Sequence, residues 1–469
     1  MKKTPVIDSL VRFTTPVPSV AERKAAGKAL RTKVPHKQHA VHRPASKRAD
    51  PVAILERQAK TRLPFLIPIR YARMLASPFA FLRGSAAVMA ADLAPTPVTG
   101  LTVQACGDMH VANFGVFASA ERHLVFGIND FDETLPGAWE WDLKRLASSA
   151  VVAVRSMGGD KVLCEEAARA TVKSYRKRMR EYAEMGSLAV WYSRIDEQDV
   201  LAALSPKTRP IAERIMAKAR QRGHLQVLGK MAELVDNQHR IIEDAPLIVR
   251  ETHTVHGQSV MDAVARSLEI YYDSLPDDRR ELVARYRVVD VARKIVGVGS
   301  VGTRCWVILF SGNGPEDPLF LQYKEAQRSV LAPYSKTPPW ESEGKRVVVG
   351  QRIIQGAPDI FLGWGVQDKQ LGGSHFYMRQ LRDMKGGIAF DAKNVKTLPE
   401  YCMLCGWALA LAHAKSGDPA AIAGYLGKSD GMDEAVARFA FAYAKQTDRD
   451  HNALVKAARE KRIAVADAS

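Results

Sequence analysis

The chain has 469 residues, of which 46% are hydrophobic and 25% are charged, and its formal net charge is +17. This length predicts two lobes or two domains with a large buried core. The composition excludes a membrane span, because no apolar run reaches the roughly 18 residues that a span needs. The five scattered cysteines exclude a disulfide framework and indicate a cytoplasmic protein.

Residues 1–50 are predicted to form a basic, partly irregular arm. They contain 12 Lys and Arg against 3 Asp and Glu, so they contribute +9 of the net charge. The N-terminus lacks the clean apolar core of a signal peptide. A solvated arm that wraps the domain is favoured over a surface that binds nucleic acid or another polyanion.

Residues 51–286 are predicted to form a helical lobe. Apolar residues recur three and four positions apart in segments such as "WDLKRLASSAVVAVRSM". Two strands interrupt the helices at 101–106 and 122–129, and as a pair they would hold the loop 107–115 at the mouth of a hairpin. The segment 101–142 therefore carries the candidate catalytic and metal loops.

Residues 287–380 are predicted to form a small β-lobe. A three-stranded antiparallel meander begins it, and the turn "GNGPEDP" joins the last two strands. A helix is expected near 343–355, and strands near 359–365 and 374–380. Residues 397–463 return to a helical pattern and would complete the large lobe. The fold class is therefore α+β, with a small antiparallel β-lobe and a large helical lobe.

Two polar motifs carry the candidate chemistry of the helical lobe. Asp108, His110 and Asn113 lie in "GDMHVAN", and Asp130 and Asp132 follow in "INDFDET". Mg²⁺ prefers such oxygen ligands, and phosphoryl transfer needs that ion and a carboxylate that orients the attacking hydroxyl. Asp108 and His110 are the candidate catalytic residues. The candidate metal ligands are Asn113, Asp130 and Asp132.

The glycine-rich segment "GVGSVG", residues 297–302, lies between the first two strands of the meander. Because a strand follows it, the segment is typical of a glycine loop folded over phosphates, as in protein kinases. Gly297, Gly299, Gly302 and Lys324 are therefore the candidate ATP-binding residues, with Lys324 at the end of the third strand. A glycine-rich hairpin without a ligand is the alternative.

The motif "GDMHVANFG" resembles the catalytic loop of aminoglycoside phosphotransferases and related kinases, H-G-D-x-H-x-x-N. "INDFDETLPGAWEWDL" resembles the metal-binding segment of that superfamily. The resemblance implies that Asp108 is the catalytic base, that Asn113 and Asp130 bind Mg²⁺, and that Asp132 is a second acidic ligand or a support. It also implies that Asp142 anchors the loop. Cys106 stands where that pattern has its leading histidine.

From about residue 24 to 450 the chain also resembles a bacterial family of unassigned role, the domain of unknown function 2252. The segments that carry this resemblance are "RYARMLASPFAFLRG", "CGDMHVANFG", "NDFDET", "WEWDLKRL" and "VVVGQRIIQ". The resemblance makes the basic arm part of the fold and supplies no substrate. Arg70, Arg73 and Arg83 are candidates to bind an anionic substrate or, as the favoured alternative, to pair with the acidic loop from outside.

The order of the motifs is unusual, because the glycine loop and lysine of a kinase precede its catalytic loop. Residues 398–418 resemble the helix that precedes the catalytic loop in such kinases, so we expect a circularly permuted kinase-like fold. Lys324 and Asp130 must then lie within about 15 Å, since both reach one Mg-nucleotide. The partner of Lys324 stays open among Glu341, Glu343 and Gln351.

The function expected from these motifs is ATP-dependent phosphoryl transfer to an unknown small molecule, with Mg²⁺ as the cofactor. One alternative is a metal-dependent phosphoesterase, because "GDMH" resembles the opening of calcineurin-like enzymes and His253 and His256 add histidines. The others are a nucleotide-binding pseudokinase and a nucleotidyltransferase. A nucleic-acid partner is not favoured, and no membrane partner is expected.

Overall fold

The computed structural model describes residues 13–466, apart from 45–46, 236–237, 254–256, 258, 368–372 and 382–383. It has a mixed α+β fold with small antiparallel sheets, so the predicted fold class is confirmed at that level. His256 lies outside the described residues. None of the helices in the described ranges combines the length and apolar character needed to cross a membrane.

The basic arm is more regular than its composition indicated, and it packs on the body of the protein. Helix α1 (Val20–Lys33) forms because the segment is rich in good helix formers and begins with a capping box between Ser19 and Glu22. Gly27 lets α1 approach the backbone of Ala421 directly. Residues 1–12 of the predicted arm lie outside the described residues.

Ion pairs and a buried histidine fasten the rest of the arm. His39 is fully buried, and its Nε2 lies 2.6 Å from the hydroxyl of Tyr425. Arg48 bonds to both Asp92 and Asp450. The arm is therefore part of the fold, as the family resemblance implied.

The large helical part buries most of the apolar side chains in one cluster. Its central helix, α15, is buried on nearly all sides, and Gly406 brings it against the backbone of α7 at Thr171. The helices of this part are α2 (Pro51–Ala59), α3 (Ile67–Leu75), α4 (Pro78–Gly84), α5 (Ala86–Leu93), α6 (Trp139–Ser156), α7 (Lys161–Tyr182), α8 (Ser187–Tyr192), α9 (Glu197–Ala203), α10 (Arg209–Arg220), α15 (Leu398–Ser416), α16 (Pro419–Leu426) and α17 (Gly431–Arg459).

Two short sheets lie within this part and frame the polar loops. Strand β1 (Thr102–Ala105) pairs with β4 (Leu135–Ala138), and β2 (Phe114–Ala118) pairs with β3 (Leu124–Ile128), which also contacts β5 (Ile195–Asp196). The expected hairpin between the strands at 101–106 and 122–129 is therefore wrong. The loop after β1 instead joins one sheet to the other, because β2 intervenes as the true partner of β3.

A six-stranded antiparallel sheet forms the second part, with the strand order β12-β13-β11-β10-β9-β8. Its strands are β8 (Ile248–Val249), β9 (Arg287–Lys294), β10 (Cys305–Gly312), β11 (Gly314–Glu325), β12 (Gly363–Val366) and β13 (His375–Gln380), and helix α14 (Glu343–Ile354) follows β11. In this sheet Lys324 is paired with Cys305 on one side and Tyr377 on the other.

Helices cover both faces of this sheet. On the outer face α12 (Val260–Asp273) packs through Val264 and Tyr271, and α13 (Asp277–Val283) follows it. On the inner face, which carries Lys324 and Phe320, lie α11 (His224–Met231) and the hairpin of β6 (Ala232–Val235) and β7 (Gln238–Ile241). The predicted boundary at 286/287 therefore differs from the structure, since helical periodicity does not reveal which sheet a helix covers.

Protonation of His39 is expected to loosen the arm in acid. Burial lowers the pKa of His39 to about 3, with the nearby charge of Lys144 adding to the effect. The unfolded chain, with a pKa near 6.5, then binds more protons between about pH 6.5 and 3, so the free energy of unfolding falls as the pH falls.

Replacing His39 by Gln should reduce the loss of stability between pH 7 and 4.5 by about 2 kcal/mol, measured by urea unfolding. Exposed His123→Gln is the control and should leave that loss unchanged. An equal acid loss in wild type and His39→Gln would contradict the docking of the arm through this side chain.

Candidate active site

Asp142 fixes the loop that follows β1. Its carboxylate, in the first turn of α6, accepts hydrogen bonds from the backbone N–H of Cys106 (2.6 Å) and of Gly107 (2.9 Å). Its Oδ2 also lies 3.3 Å from Nε2 of His413 on α15. Gly107 has a φ of +78°, in the left-handed region that favours glycine. The loop is thus held by α6 and α15 together, in the anchoring arrangement expected for Asp142.

The carboxylate of Asp108 has one engaged oxygen and one open oxygen. Its Oδ1 accepts hydrogen bonds from the guanidinium of Arg145, which is buried on α6 and also donates to Leu82 O (2.8 Å). Its Oδ2 lies 3.8 Å from Nε2 of His110. Burial raises the pKa of Asp108, while Arg145 opposes that rise. Asp108 is therefore a fixed, partly desolvated acceptor that faces the cavity with Oδ2.

His110 stays neutral at this position. It is almost fully buried, burial and the charge of Arg145 hold its pKa well below the usual range, and its Nδ1 has no hydrogen-bond partner in the described structure. It lies against the ring of Phe79. As a candidate catalytic residue, His110 can therefore contribute a neutral imidazole rather than a charge.

Asn113 and Asp130 lie together and have the donor set for a divalent cation. Asn113 donates its amide N–H to Asp108 O (2.7 Å), and its amide oxygen has no donor among the described residues. Asp130 is held by the N–H of Asp132 (3.1 Å) and has no ion pair among the described residues. Burial and the charge of Asp132 raise the pKa of Asp130. A carboxylate without an ion pair that lines the same cavity as an amide oxygen fits Mg²⁺.

This pair by itself is an incomplete metal shell. No group of three or more His, Cys, Asp or Glu side chains within the described ranges is arranged to hold a metal. Mg²⁺ typically takes one or two protein carboxylates and completes its shell with water and substrate phosphates. The donor set therefore fits a metal that arrives with a nucleotide, and within the described residues it lacks the four ligands that a two-metal phosphoesterase needs.

Asp132 points away from this pair toward the six-stranded sheet. Its Oδ2 forms an ion pair with Lys324 Nζ and accepts a hydrogen bond from Ser300 Oγ (3.2 Å), and its Oδ1 accepts one from Tyr377 OH (2.7 Å). Burial raises the pKa of Asp132, but the charge of Lys324 and the hydrogen bond from it outweigh that effect and lower the pKa to about 2. The two residues are 192 positions apart in the sequence, so this contact joins the acidic segment to the sheet.

The glycine-rich segment lies over the same cavity. A methyl group on Gly299 would lie 3.9 Å from Asp108 Oδ2. Arg73 and Arg62 hold the loop from outside through the carbonyls of Gly297 and Val301. The cavity has a volume of about 80 Å³, and its lining includes Arg83, Asp108, His110, Asn113, Asp130, Asp132, Glu133, Gly297, Gly299 and Ser300.

Gly302 and Lys324 are the two predicted site residues outside that lining. Gly302, with a φ of +95°, packs on the side chain of Arg62 and accepts a backbone hydrogen bond from Leu63 (2.8 Å). Lys324 reaches the site through Asp132. The structure thus brings seven of the nine predicted site residues to one cavity, although the segments that supply them are far apart in the chain.

Helix α14 does not supply the acidic partner expected for Lys324. Glu343 pairs with Arg346 on the same helix, and Gln351 donates to Gln355 (2.7 Å). Arg346 is buried and donates to the carbonyls of Asp132 (2.8 Å) and Thr134 (2.6 Å). The helix therefore secures the acidic segment through an arginine, while Asp132 neutralises Lys324.

Three residues that shape the site were not predicted from the sequence: Arg145, Arg346 and Tyr377. A signal existed for Arg145, because it follows Asp142 by three positions and so shares its helix face. Arg346 and Tyr377 act through contacts between distant segments, which the local pattern does not encode.

The comparison with protein families places the chain. The family described as "Uncharacterized protein conserved in bacteria (DUF2252)" matches residues 62–457. The chain belongs to the DUF2252 family. In this DUF2252 protein the matched range holds every residue of the candidate site and leaves out the whole of the arm, residues 1–50. The comparisons with curated proteins and with solved structures gave no match.

Removing Lys324 should destabilise the protein strongly. A Lys324→Met substitution leaves the inward carboxylate of Asp132 without its cation, and the loss of one partner of a buried pair costs about 3 kcal/mol. The control is Lys456→Met, whose pair with Glu460 is exposed and should matter by less than about 0.5 kcal/mol. Denaturant unfolding measures both, and equal small losses would show that the Lys324 contact is unimportant for stability.

Proposed function

We propose that this DUF2252 protein is an ATP-dependent phosphotransferase that acts on a small molecule and uses Mg²⁺. The observation that carries the proposal is the convergence on one cavity of Asp108, the Asn113–Asp130 pair, the glycine loop and the Lys324–Asp132 contact. Phosphoryl transfer is catalysed mainly by positioning and by neutralising phosphate charge, and these are the functions that such a set of residues can serve.

In the proposed reaction the open Oδ2 of Asp108 accepts a hydrogen bond from the acceptor hydroxyl and takes its proton. The hydroxyl oxygen forms a bond to the γ-phosphorus as the bond from that phosphorus to the bridging oxygen breaks, and ADP leaves. Arg145 keeps Asp108 oriented through Oδ1. The tip of the glycine loop would lie over the phosphates, and Lys324 would bind them beside Asp132.

Asn113 and Asp130 are the residues that would hold Mg²⁺. The ion supplies neutralisation of the phosphate charge when it is bound with the nucleotide. Asp132 stabilises the lysine instead of the metal in this arrangement, because its oxygens already accept from Lys324, Ser300 and Tyr377.

The order of elements in the sheet supports a kinase-like fold. The glycine loop joins β9 to β10, Lys324 lies on β11, and α14 follows, which is the arrangement of the glycine loop, strand-three lysine and next helix in protein kinases. The lysine and the acidic segment are in contact through Asp132, well within the separation that one Mg-nucleotide requires.

The position of α15 supports a circular permutation. Ser416, at its last turn, accepts a hydrogen bond from the N–H of Gln104 on β1 (3.1 Å), and a methyl group on Gly417 would lie 3.1 Å from Thr102 O. The end of α15 thus adjoins the start of β1 in space, although the chain enters β1 from α5. Joining those two points would restore the usual order of a kinase.

The test is to incubate purified protein with ATP and Mg²⁺, with water as the phosphoryl acceptor. Chromatography then identifies the nucleotide products. Phosphoryl transfer predicts ADP and phosphate, and Asp108→Asn should lower the rate about 100-fold, the usual contribution of a general base. Asp448→Asn, a half-buried aspartate that pairs with Arg155 outside the cavity lining, is the matched control and should react like wild type.

Two results would contradict the proposal. Formation of AMP and pyrophosphate would indicate nucleotidyl transfer. An ADP yield that is the same for wild type and Asp108→Asn would remove Asp108 from the reaction.

A further inference from the structure

The cations around the candidate site almost all have a hydrogen-bond acceptor in the protein. A carboxylate or a backbone carbonyl accepts from each of the following: Arg62, Arg73, Arg145 and Lys324. Arg83 is the exception within the described residues, because neither a hydrogen bond nor an ion pair forms at its guanidinium. This difference singles out Arg83 as a cation whose hydrogen bonds are left for a ligand.

Arg83 lies on α4, and its side chain lines the cavity beside Asp108. Its Nε is buried without a hydrogen-bond partner, and its guanidinium lies 5.9 Å from the ring centre of Phe79. Burial lowers the pKa of Arg83, and the charge of Asp108 opposes that shift. A half-buried guanidinium whose Nε lacks an acceptor costs free energy, which a bound anion would recover.

We propose that Arg83 binds an anionic group of the acceptor molecule, a carboxylate or a phosphate, next to the hydroxyl that Asp108 receives. The substrate class is therefore a hydroxy acid or a phosphate monoester with a free hydroxyl. This inference rests on the proposed function. We assign Arg83 to the acceptor molecule and not to the nucleotide, because the carboxylate that acts on Arg83 is that of Asp108. Lys324, which would bind the nucleotide phosphates, lies instead against Asp132.

The planar guanidinium suits two parallel hydrogen bonds to one carboxylate or phosphate. Calorimetric titrations with inorganic phosphate, with glycerate and with neutral glycerol, each in Mg-ADP, distinguish the two anions. We expect wild type to bind at least one anion and not glycerol, and Arg83→Gln to bind it at least tenfold more weakly. Arg83→Lys should retain only part of the wild-type affinity for the anion. Arg438→Gln, an exposed control, should retain all of it.

Three outcomes would overturn the proposal: unchanged anion affinity in Arg83→Gln, no binding of either anion by wild type up to about 20 mM, and loss of Mg-ATP but not Mg-ADP affinity in Arg83→Gln. The last would make Arg83 a ligand of the γ-phosphate. Failure of the proposed function looks different, since wild type would then bind no Mg-nucleotide while its anion binding, measured without nucleotide, still depended on Arg83.

A second inference comes from the inner face of the sheet. Phe320 is four residues from Lys324 on β11 and so shares its face. Val227, Leu228 and Met231 of α11 pack there against Val307, Leu309 and Phe320. The N–H of Ile241, at the end of the hairpin, donates to Asp290 on β9 (2.6 Å).

We infer that residues 227–235 and 238–241, which we call the cover, must shift when a nucleotide binds. If the phosphates lie between the glycine loop and Lys324, the nucleoside extends along this inner face, where the cover now packs. The cover therefore lowers nucleotide affinity by the free energy needed to move it. This inference also rests on the proposed function.

Loosening the cover tests this inference. The double variant Leu228→Ala, Met231→Ala should bind Mg-ATP about tenfold more tightly than wild type by calorimetry. The control is Leu268→Ala on the outer face, which should leave the affinity unchanged. Hydrogen exchange of the cover should rise when Mg-ATP is added to wild type.

An unchanged or weaker affinity in the folded double variant, or protection of the cover by Mg-ATP, would overturn the inference. Absence of nucleotide binding in wild type and double variant alike would instead overturn the proposed function.

Discussion

The contact between Lys324 and Asp132 is the constraint on which the rest of the site depends. It joins the third strand of the six-stranded sheet to the acidic segment of the helical part, with Tyr377 and Ser300 donating to the same carboxylate. Because both charged groups are largely desolvated, removing either one would leave a buried charge unpaired and destabilise the protein. The contact brings the glycine loop over Asp108 and so turns two distant motifs into one cavity.

A second polar anchor sets the opposite wall of that cavity. Asp142 receives two backbone N–H groups of the loop after β1, and His413 connects it to α15. This explains why α15 is long and buried, since it has to carry His413 into the interior. Arg145, one turn further along α6, orients Asp108 from the same helix. One helix thus fixes both the shape of the loop and the direction of its carboxylate.

Much of the site could be predicted because its chemistry is local. The spacing of Asp108, His110 and Asn113 and the glycine-rich segment are short patterns, and the structure brings them together. The mixed α+β class also followed from periodicity. The sequence did not reveal which residues and elements contact each other over long separations in the chain. The partner of β3 is β2, the partner of Lys324 is Asp132, and the outer face of the sheet is covered by α12.

The composition of the basic arm gave a wrong expectation of its structure, for a physical reason. The net charge of the arm indicated an irregular, solvated segment, yet 20–33 is a helix because its alanines favour helix, and Arg23 and Arg31 bond to Asp418 and Tyr425 of the body. The buried cover on the inner face was also unforeseen, since the apolar side chains of α11 are ordinary for any core helix. Both features depend on where a segment docks.

The most direct test of the central claim, that these motifs form one nucleotide site, is a calorimetric titration of Mg-ATP. Wild type, Lys324→Ala and Asp130→Asn would be compared, with circular dichroism to establish that each is folded. The account predicts Mg-dependent binding by wild type and a loss of at least about 30-fold in both variants, about 2 kcal/mol. Wild-type binding that does not depend on Mg²⁺, or full affinity in folded Lys324→Ala, would contradict it.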